Sequence, residues 1–89
     1  MRKRTKLEVM RDILSILKDN RNSMKPTPLL RKSGLSSKRF KEYYFEILKK
    51  ELVKEVEEKK ERRVVLTEEG LRFLEKYKVI IDFIEEFDL

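Results

Sequence analysis

The segment Pro26–Glu51 constrains the fold more than any other part of the chain, because its pattern is that of two helices joined by a tight turn. We expect Thr27 to cap the first helix and Pro28 to occupy its first position, where a missing N–H costs nothing. Gly34 then ends this helix, since glycine enters a left-handed turn without a steric penalty. A short helix, a glycine turn and a longer helix predict a helix-turn-helix.

The second helix of this pair has a predicted buried side and a predicted outward side. We expect it to begin after Leu35, with Ser36 or Ser37 as its cap. Residues at helical spacing form the buried stripe, which contains Phe40, Tyr43, Tyr44, Ile47 and Leu48. The opposite face carries Lys38, Lys41, Glu42, Phe45, Glu46 and Lys49, with Arg39 to one side. This arrangement is typical of a helix that enters a DNA major groove. The alternative is an ordinary pair of packed helices whose lysines are solvated.

The charge of the chain is divided unevenly along its length. Residues 1–41 contain 13 Lys and Arg against three acids, whereas residues 42–89 contain 10 against 14. A basic half of this kind predicts a polyanionic partner, most often nucleic acid. An anionic membrane is disfavoured, because the basic residues are spread over a tail, a turn and a helix start. We expect no membrane partner and a cytoplasmic, nucleoid-associated protein.

Several classes of chemistry are excluded by composition. The chain has neither cysteine nor histidine, so disulfides, thiolate or imidazole metal sites and Cys or His catalysis are not possible. Its acids alternate with lysines and show no clustered ligand pattern. We therefore expect no enzyme, no cofactor, no metal site and no small-molecule substrate.

The N-terminal end of the chain, which precedes the helix pair, is also basic. Residues 1–5 are predicted to form an arm whose cations Arg2, Lys3 and Arg4 contact DNA, with a solvated terminus as the alternative. Thr5 with Glu8 forms a capping-box pattern, so a helix begins near Lys6 with Leu7, Met10, Ile13, Leu14 and Leu17 as its core stripe.

The segment after the helix pair alternates β-formers with polar residues. We predict strands at about residues 53–57 and 62–66, joined by a charged hairpin at 58–61. A hairpin in this position is the wing of a winged helix, and a basic wing can contact a phosphate backbone. Its predicted DNA contacts are Lys59, Lys60, Arg62 and Arg63; ordinary solvated hairpin charge is the alternative.

The last helix is predicted to begin after Thr67 and to run to about Phe87. One seam contains Leu74, Tyr77, Ile81 and Ile84, and a second contains Phe73, Ile80, Phe83 and Phe87. Beyond Val79 the helix is apolar on most sides, which one small domain can hardly cover. We expect a homodimer through Leu74, Tyr77, Ile80, Ile81, Phe83, Ile84 and Phe87, or else packing of both seams onto the first helix.

With these elements placed, the chain resembles the archaeal winged-helix family typified by the ten-kilodalton Sulfolobus DNA-binding protein. The turn segment SGLSSKRFKEYY is similar to a family stretch at Leu35, Ser36, Phe40, Lys41 and Tyr44. Residues 66–80 resemble the family's Thr-Glu-x-Gly-x-x-Phe-Leu-x-x-Tyr pattern. The resemblance implies a chromatin-associated DNA-binding protein that dimerises through an antiparallel coiled coil of the last helices. The last helix here looks short for such a coil, and the wing lacks glycine.

Together these observations predict a mainly α fold of the α+β class, a winged helix-turn-helix at residues 1–66 and a dimerisation helix at 67–89. The predicted partner is double-stranded DNA, bound at the arm and the wing as well as at Ser36, Ser37, Lys38, Arg39 and Lys41. Serine and lysine mostly position a protein on a duplex, so weak sequence specificity is expected. The role is a transcriptional regulator or an architectural protein, and a winged-helix protein–protein module that does not bind DNA is the alternative.

Overall fold

The computed structural model describes residues 4–89 of the chain. Its elements, in chain order, are α1 (Lys6–Asp19), β1 (Ser23–Met24), α2 (Pro26–Ser33), α3 (Ser37–Lys49), β2 (Val53–Glu58), β3 (Glu61–Leu66) and α4 (Glu68–Glu86). The strands form an antiparallel sheet in the order β1-β3-β2. A helix, a helix-turn-helix, a hairpin and a last helix therefore follow one another as the sequence predicts.

Helix α1 lies at the centre of the fold and contacts every other helix and β3. Its capping box is confirmed: the Thr5 hydroxyl accepts from the Glu8 amide at 3.2 Å, and the Glu8 carboxylate accepts from the Thr5 amide at 3.3 Å. The predicted stripe is wrong at Leu7, which is 53% exposed; its other members are buried, and Val9, which widens the apolar face, is buried with them. The buried side of α1 therefore begins at Val9.

The core joins α1 to one side of each neighbouring element. Its buried residues are Val9, Met10, Ile13, Leu14, Leu17, Met24, Leu29, Phe40, Ile47, Leu52, Val53, Val64 and Leu66. Tyr43, Tyr44 and Leu48 of α3 are partly buried beside it, which confirms the predicted inner stripe of that helix. The opposite face of α3 is thereby directed to solvent.

The start of α2 differs from the prediction. The helix begins at Pro26, and Lys25 occupies the N-cap position without a side-chain hydrogen bond, so Thr27 lies inside the first turn. Proline at the first position is already set to helical φ and has no N–H that needs a partner. Pro28 is tolerated two residues later, because the first four N–H groups of a helix have no intrahelical acceptor. Gly34 ends α2 at φ 72°, as expected.

The hairpin is longer and its turn tighter than predicted. The strands pair from Val53 with Leu66 to Glu58 with Glu61, so only Lys59 and Lys60 form the turn. Their φ angles are 51° and 65°. Two central residues with positive φ are typical of a type I′ turn, which matches the twist of the strands but is usually built from Asn-Gly. This turn could not be predicted from the residues here, because neither asparagine nor glycine is among them.

The first turn of α4 lies directly against the backbone that precedes β2. The Thr67 amide donates to the Leu52 carbonyl at 3.1 Å, and the Thr67 hydroxyl accepts from the Gly70 amide at 3.0 Å. A Cβ on Gly70 would lie 2.2 Å from the Leu52 carbonyl oxygen and 2.5 Å from Leu66 Cδ1. Gly70 is therefore required by close approach, whereas Gly34 is required by its backbone angle.

Gly70→Ala is expected to lower the free energy of unfolding by about 2 kcal/mol or more, because the added methyl must displace a backbone carbonyl. Alanine is the better helix former by about 1 kcal/mol, so a site with room would show the opposite sign. Urea unfolding followed by circular dichroism measures the difference. Gly34→Ala is the comparison. Its free energy of unfolding should fall by about 1 kcal/mol, because alanine is strained at the left-handed backbone angle of residue 34 although its methyl group would meet no neighbouring atom. A Gly70→Ala protein as stable as the wild type would contradict the close approach.

Candidate nucleic-acid interface

The N-terminus of α3 is positioned by the turn that precedes it. The Ser36 hydroxyl accepts from the Arg39 amide at 3.3 Å and caps the helix. The Ser33 hydroxyl accepts from the Leu35 amide at 3.2 Å and donates to the Leu30 carbonyl at 2.6 Å. These two bonds fix the turn between α2 and α3. Together these bonds orient the first turn of α3. Its first amides and the residues that follow them face solvent. Ser36 is thus a cap as well as a predicted DNA contact.

The cations of α3 are not equivalent. Lys38 and Lys41 are exposed on the outward face and have no ion-pair partner among residues 4–89. Arg39 lies to the side, where its Nη2 donates to the Tyr43 hydroxyl at 3.4 Å. Of these three side chains, Lys38 and Lys41 are therefore the ones that can reach an external anion without breaking an existing contact.

The wing, which is the β2–β3 hairpin, divides its predicted cations between two faces. Arg62 shares a face with the buried Val64, so it points along the side of the hairpin that faces α3. Arg63 lies on the other face, where its Nε donates to the Ser23 hydroxyl at 2.8 Å. Lys59 and Lys60 occupy the exposed tip. The structure thus brings Arg62 to α3, while Arg63 contacts β1.

A hydrogen bond between side chains ties the wing to α3. The Tyr44 hydroxyl donates to the Glu55 carboxylate at 2.7 Å. Partial burial, followed by this bond and the Glu55 charge, raises the pKa of Tyr44 well above its ordinary value, so the phenol stays protonated and remains a donor. No spacing rule would pair these two residues in advance, since they meet only when β2 folds beside α3.

A cleft of about 380 Å³ opens between α2, α3 and the wing. Its lining residues are Pro26, Thr27, Leu30, Ser37, Phe40, Lys41, Tyr44, Glu55 and Arg62. Two predicted DNA contacts of α3, Ser37 and Lys41, therefore share one opening with Arg62 of the wing. Beside this cleft, the Lys25 ammonium pairs with Glu61 of β3 at 3.0 Å, which joins the start of α2 to the wing.

The predicted N-terminal arm is described only in part. Arg2 and Lys3 lie outside the described residues. The Arg4 guanidinium pairs with Asp12 at 2.9 Å and donates to the Ser33 carbonyl at 3.2 Å, so it joins α1 to the end of α2. Its role as a DNA contact stays a prediction.

The two apolar seams of α4 have different surroundings. Leu74, Tyr77 and Ile81 are partly buried and line one cleft with Arg11 of α1, whose guanidinium lies 5.1 Å from the centre of the Tyr77 ring. In the other seam, Phe73 packs against the core, whereas Ile80, Phe83 and Phe87 face outward. The large exposed residues of this end of the chain are Val79, Ile80, Phe83, Ile84, Phe87 and Leu89. Leu74, Tyr77 and Ile81 therefore lie beside the chain's own first helix, as the alternative to a dimer predicts for this part of the seam, whereas Ile84 of the same seam is 36% exposed.

Residues 4–89 contain neither a cluster of potential metal ligands nor a helix able to span a membrane. No group of three or more His, Cys, Asp or Glu side chains there could hold a metal ion. Within the same residues, each helix is too short or too polar to cross a bilayer.

A family model described as winged helix-turn-helix matches residues 3–85 of the chain. Among curated proteins there is no significant match. The family match covers the helix-turn-helix, the wing and nearly all of α4, and it agrees with the observed order of elements.

Three solved structures illustrate how widely this fold is shared. The Sulfolobus solfataricus DNA-binding protein Sso10a-2 has a TM-score of 0.75 at 19% identity, over 94% of this chain and 85% of that one. F93 from STIV, a winged-helix DNA-binding protein, has a TM-score of 0.73 at 16% identity, over 89% and 91%. F-93 of SSV1 has a TM-score of 0.68 at 25% identity, over 89% and 91%. The resemblance to the Sulfolobus winged-helix family is confirmed.

Proposed function

The chain belongs to the winged helix-turn-helix family, and on that premise we propose that it binds double-stranded DNA through the N-terminal half of α3 and the wing. The observation that carries this proposal is the cleft shared by Ser37, Lys41 and Arg62. Cations from two separate elements open onto one surface there, next to the N-terminus of a helix. Phosphate oxygens are bound by such a combination of lysine, arginine and backbone N–H groups. That Sso10a-2 and F93 bind DNA adds support.

The wing would make a second set of contacts with the same duplex, in addition to those of α3. The Tyr44–Glu55 hydrogen bond fixes the angle between wing and α3, and the tip lysines 59 and 60 extend beyond it. Preorganised cations need no further ordering when they meet phosphates, which favours affinity. Arg62 would contact the duplex beside Lys41, since both line the cleft.

We propose weak sequence specificity for these contacts. The first turns of α3 offer lysine and serine, whereas bidentate reading of guanine or adenine is typical of arginine, asparagine or glutamine. Arg39, the arginine of this helix, lies to the side and donates to Tyr43. The proposed role is transcription regulation or an architectural function in the nucleoid, and the proposed location is cytoplasmic.

We also propose that two copies associate through the outward face of α4. An open row of large apolar side chains is typical of a contact surface rather than of a monomer. Ile80 and Phe83 are each 54% exposed, and Phe87 is 58% exposed. A second copy offers the same apolar face, so a two-fold dimer covers both. The acids that surround this end and would repel DNA are Asp82, Glu85, Glu86 and Asp88.

Lys38→Ala combined with Lys41→Ala is expected to weaken binding to duplex DNA and to flatten its salt dependence. The slope of log affinity against log salt should fall by about one unit for each phosphate that the variant no longer neutralises. Fluorescence anisotropy with one labelled duplex over a series of salt concentrations measures both quantities. Lys18→Ala with Lys78→Ala is the matched control, because it removes the same charge from the α1–α4 cleft.

Equal affinity and slope in the Lys38/Lys41 variant and the wild type would remove α3 from the interface. A wild-type chain that binds no duplex at low salt would favour the protein–protein module instead. An equal decrease of affinity in the test and control variants would mean that net charge, rather than α3, governs binding.

Ile80→Asp combined with Phe83→Asp is expected to give a monomer that remains folded, since both side chains are exposed in the single chain. Its DNA affinity should fall, because two linked sites bind more tightly than one. Sedimentation equilibrium compares its mass with that of the wild type, for which we expect twice the chain mass. Lys78→Asp is the control, as it makes the same change of net charge away from this face. A wild type of single-chain mass ends the dimer proposal.

A further inference from the structure

Phe45 is an aromatic side chain that the fold leaves in solvent. Its side chain is 68% exposed, near the middle of α3, and no ring-stacking partner for it exists within residues 4–89. Other aromatic residues of this helix serve the interior: Phe40 is buried, and its ring stacks on that of Tyr44 at 5.4 Å. Phe45 thus contributes nothing to the core, and burying its ring elsewhere would be favourable.

The ring lies between cations on the same helical face. Lys41 is four residues before Phe45 and Lys49 is four residues after it, so all three side chains point the same way. The two lysines are separated by about 12 Å along the helix axis at the usual rise per residue. The major groove of B-DNA is wide enough to admit a helix. A helix that lies in the groove with this face toward the bases therefore carries Phe45 at the base edges, with a lysine one turn before it and another one turn after it that can extend to the phosphates.

Glu42 lies on the same part of the face, where a carboxylate is compatible with base edges but not with phosphates. It lies one turn before Phe45, and no ion pair to it exists among the described residues. A carboxylate beside phosphates is repelled, but one over base edges can accept a hydrogen bond from the amino group of cytosine. Glu46, on the flank of the helix, is paired with Lys6 and with Lys50 instead.

We propose that Phe45 enters the major groove and contacts the C5-methyl group of thymine, so that the chain prefers duplexes with thymine below the third turn of α3. The thymine methyl is the apolar group that bases present in that groove, and a phenyl ring is a suitable partner for it. Lysine contacts at the walls would supply affinity for any sequence, while Phe45 would supply the preference. This inference rests on the proposed DNA binding and adds a base contact to it.

The test uses two duplexes of the same AT-rich sequence, one with thymidine and one with deoxyuridine in its place. Base pairing is the same in both, and only the methyl groups differ. The wild type is expected to bind the thymidine duplex more tightly, by about fourfold for each methyl contacted. Phe45→Ala should bind the thymidine duplex more weakly and should bind both duplexes equally. Leu7→Ala, which truncates another exposed apolar side chain outside the proposed interface, should keep the wild-type preference.

Each result decides between the proposals. Equal binding of both duplexes by the wild type overturns the methyl contact and leaves DNA binding standing. A preference that persists in Phe45→Ala also overturns it, because the methyl would then be sensed by another residue or through DNA shape. No binding to either duplex overturns both proposals. A change of sedimentation mass in Phe45→Ala, with equal binding of both duplexes by the wild type, would assign the ring to a protein contact.

Discussion

The position of α3 depends on one backbone turn, at Gly34. A φ of 72° there ends α2 and sends the chain into Leu35 and the Ser36 cap within two residues. Residues other than glycine are strained at this angle, so a short connection of this shape depends on glycine. Phe40 and Ile47 of α3 are buried in the core, so the opposite face of this helix points to solvent. The DNA contacts that we propose on α3 follow from this turn and this packing.

The features that could be predicted from the sequence are those set by local chemistry. The caps at Thr5, Ser36 and Thr67 involve neighbours three residues away, and the helical periodicity of α3 identified its inner stripe correctly. Features that depend on distant contacts could not be predicted. The Tyr44–Glu55 bond arises from the packing of β2 beside α3. The same is true of α4: its two seams look alike in sequence, although Leu74, Tyr77 and Ile81 lie beside α1 while Ile80, Phe83 and Phe87 are exposed.

The wing tip shows a conflict between local preference and proposed function. Lys59 and Lys60 both adopt positive φ, which asparagine and glycine tolerate better and which costs other residues about 1 kcal/mol or more each. Strain of this kind is often retained where a side chain has a task. Two cations at the tip of a wing are suited to contact with a phosphate backbone, and a more stable Asn-Gly turn would remove both. Stability and the proposed binding therefore favour different residues at this turn.

The central claim is that the outward face of α3 and the wing form one DNA-binding surface. It is tested most directly by adding a short duplex to the isotopically labelled protein and following each backbone amide by NMR. If α3 and the wing bind the duplex together, the largest shifts occur within residues 37–45 and 59–62, while amides of the α1–α4 cleft change little. Shifts confined to the open end of α4, or spread evenly over the basic residues of α1, would contradict it.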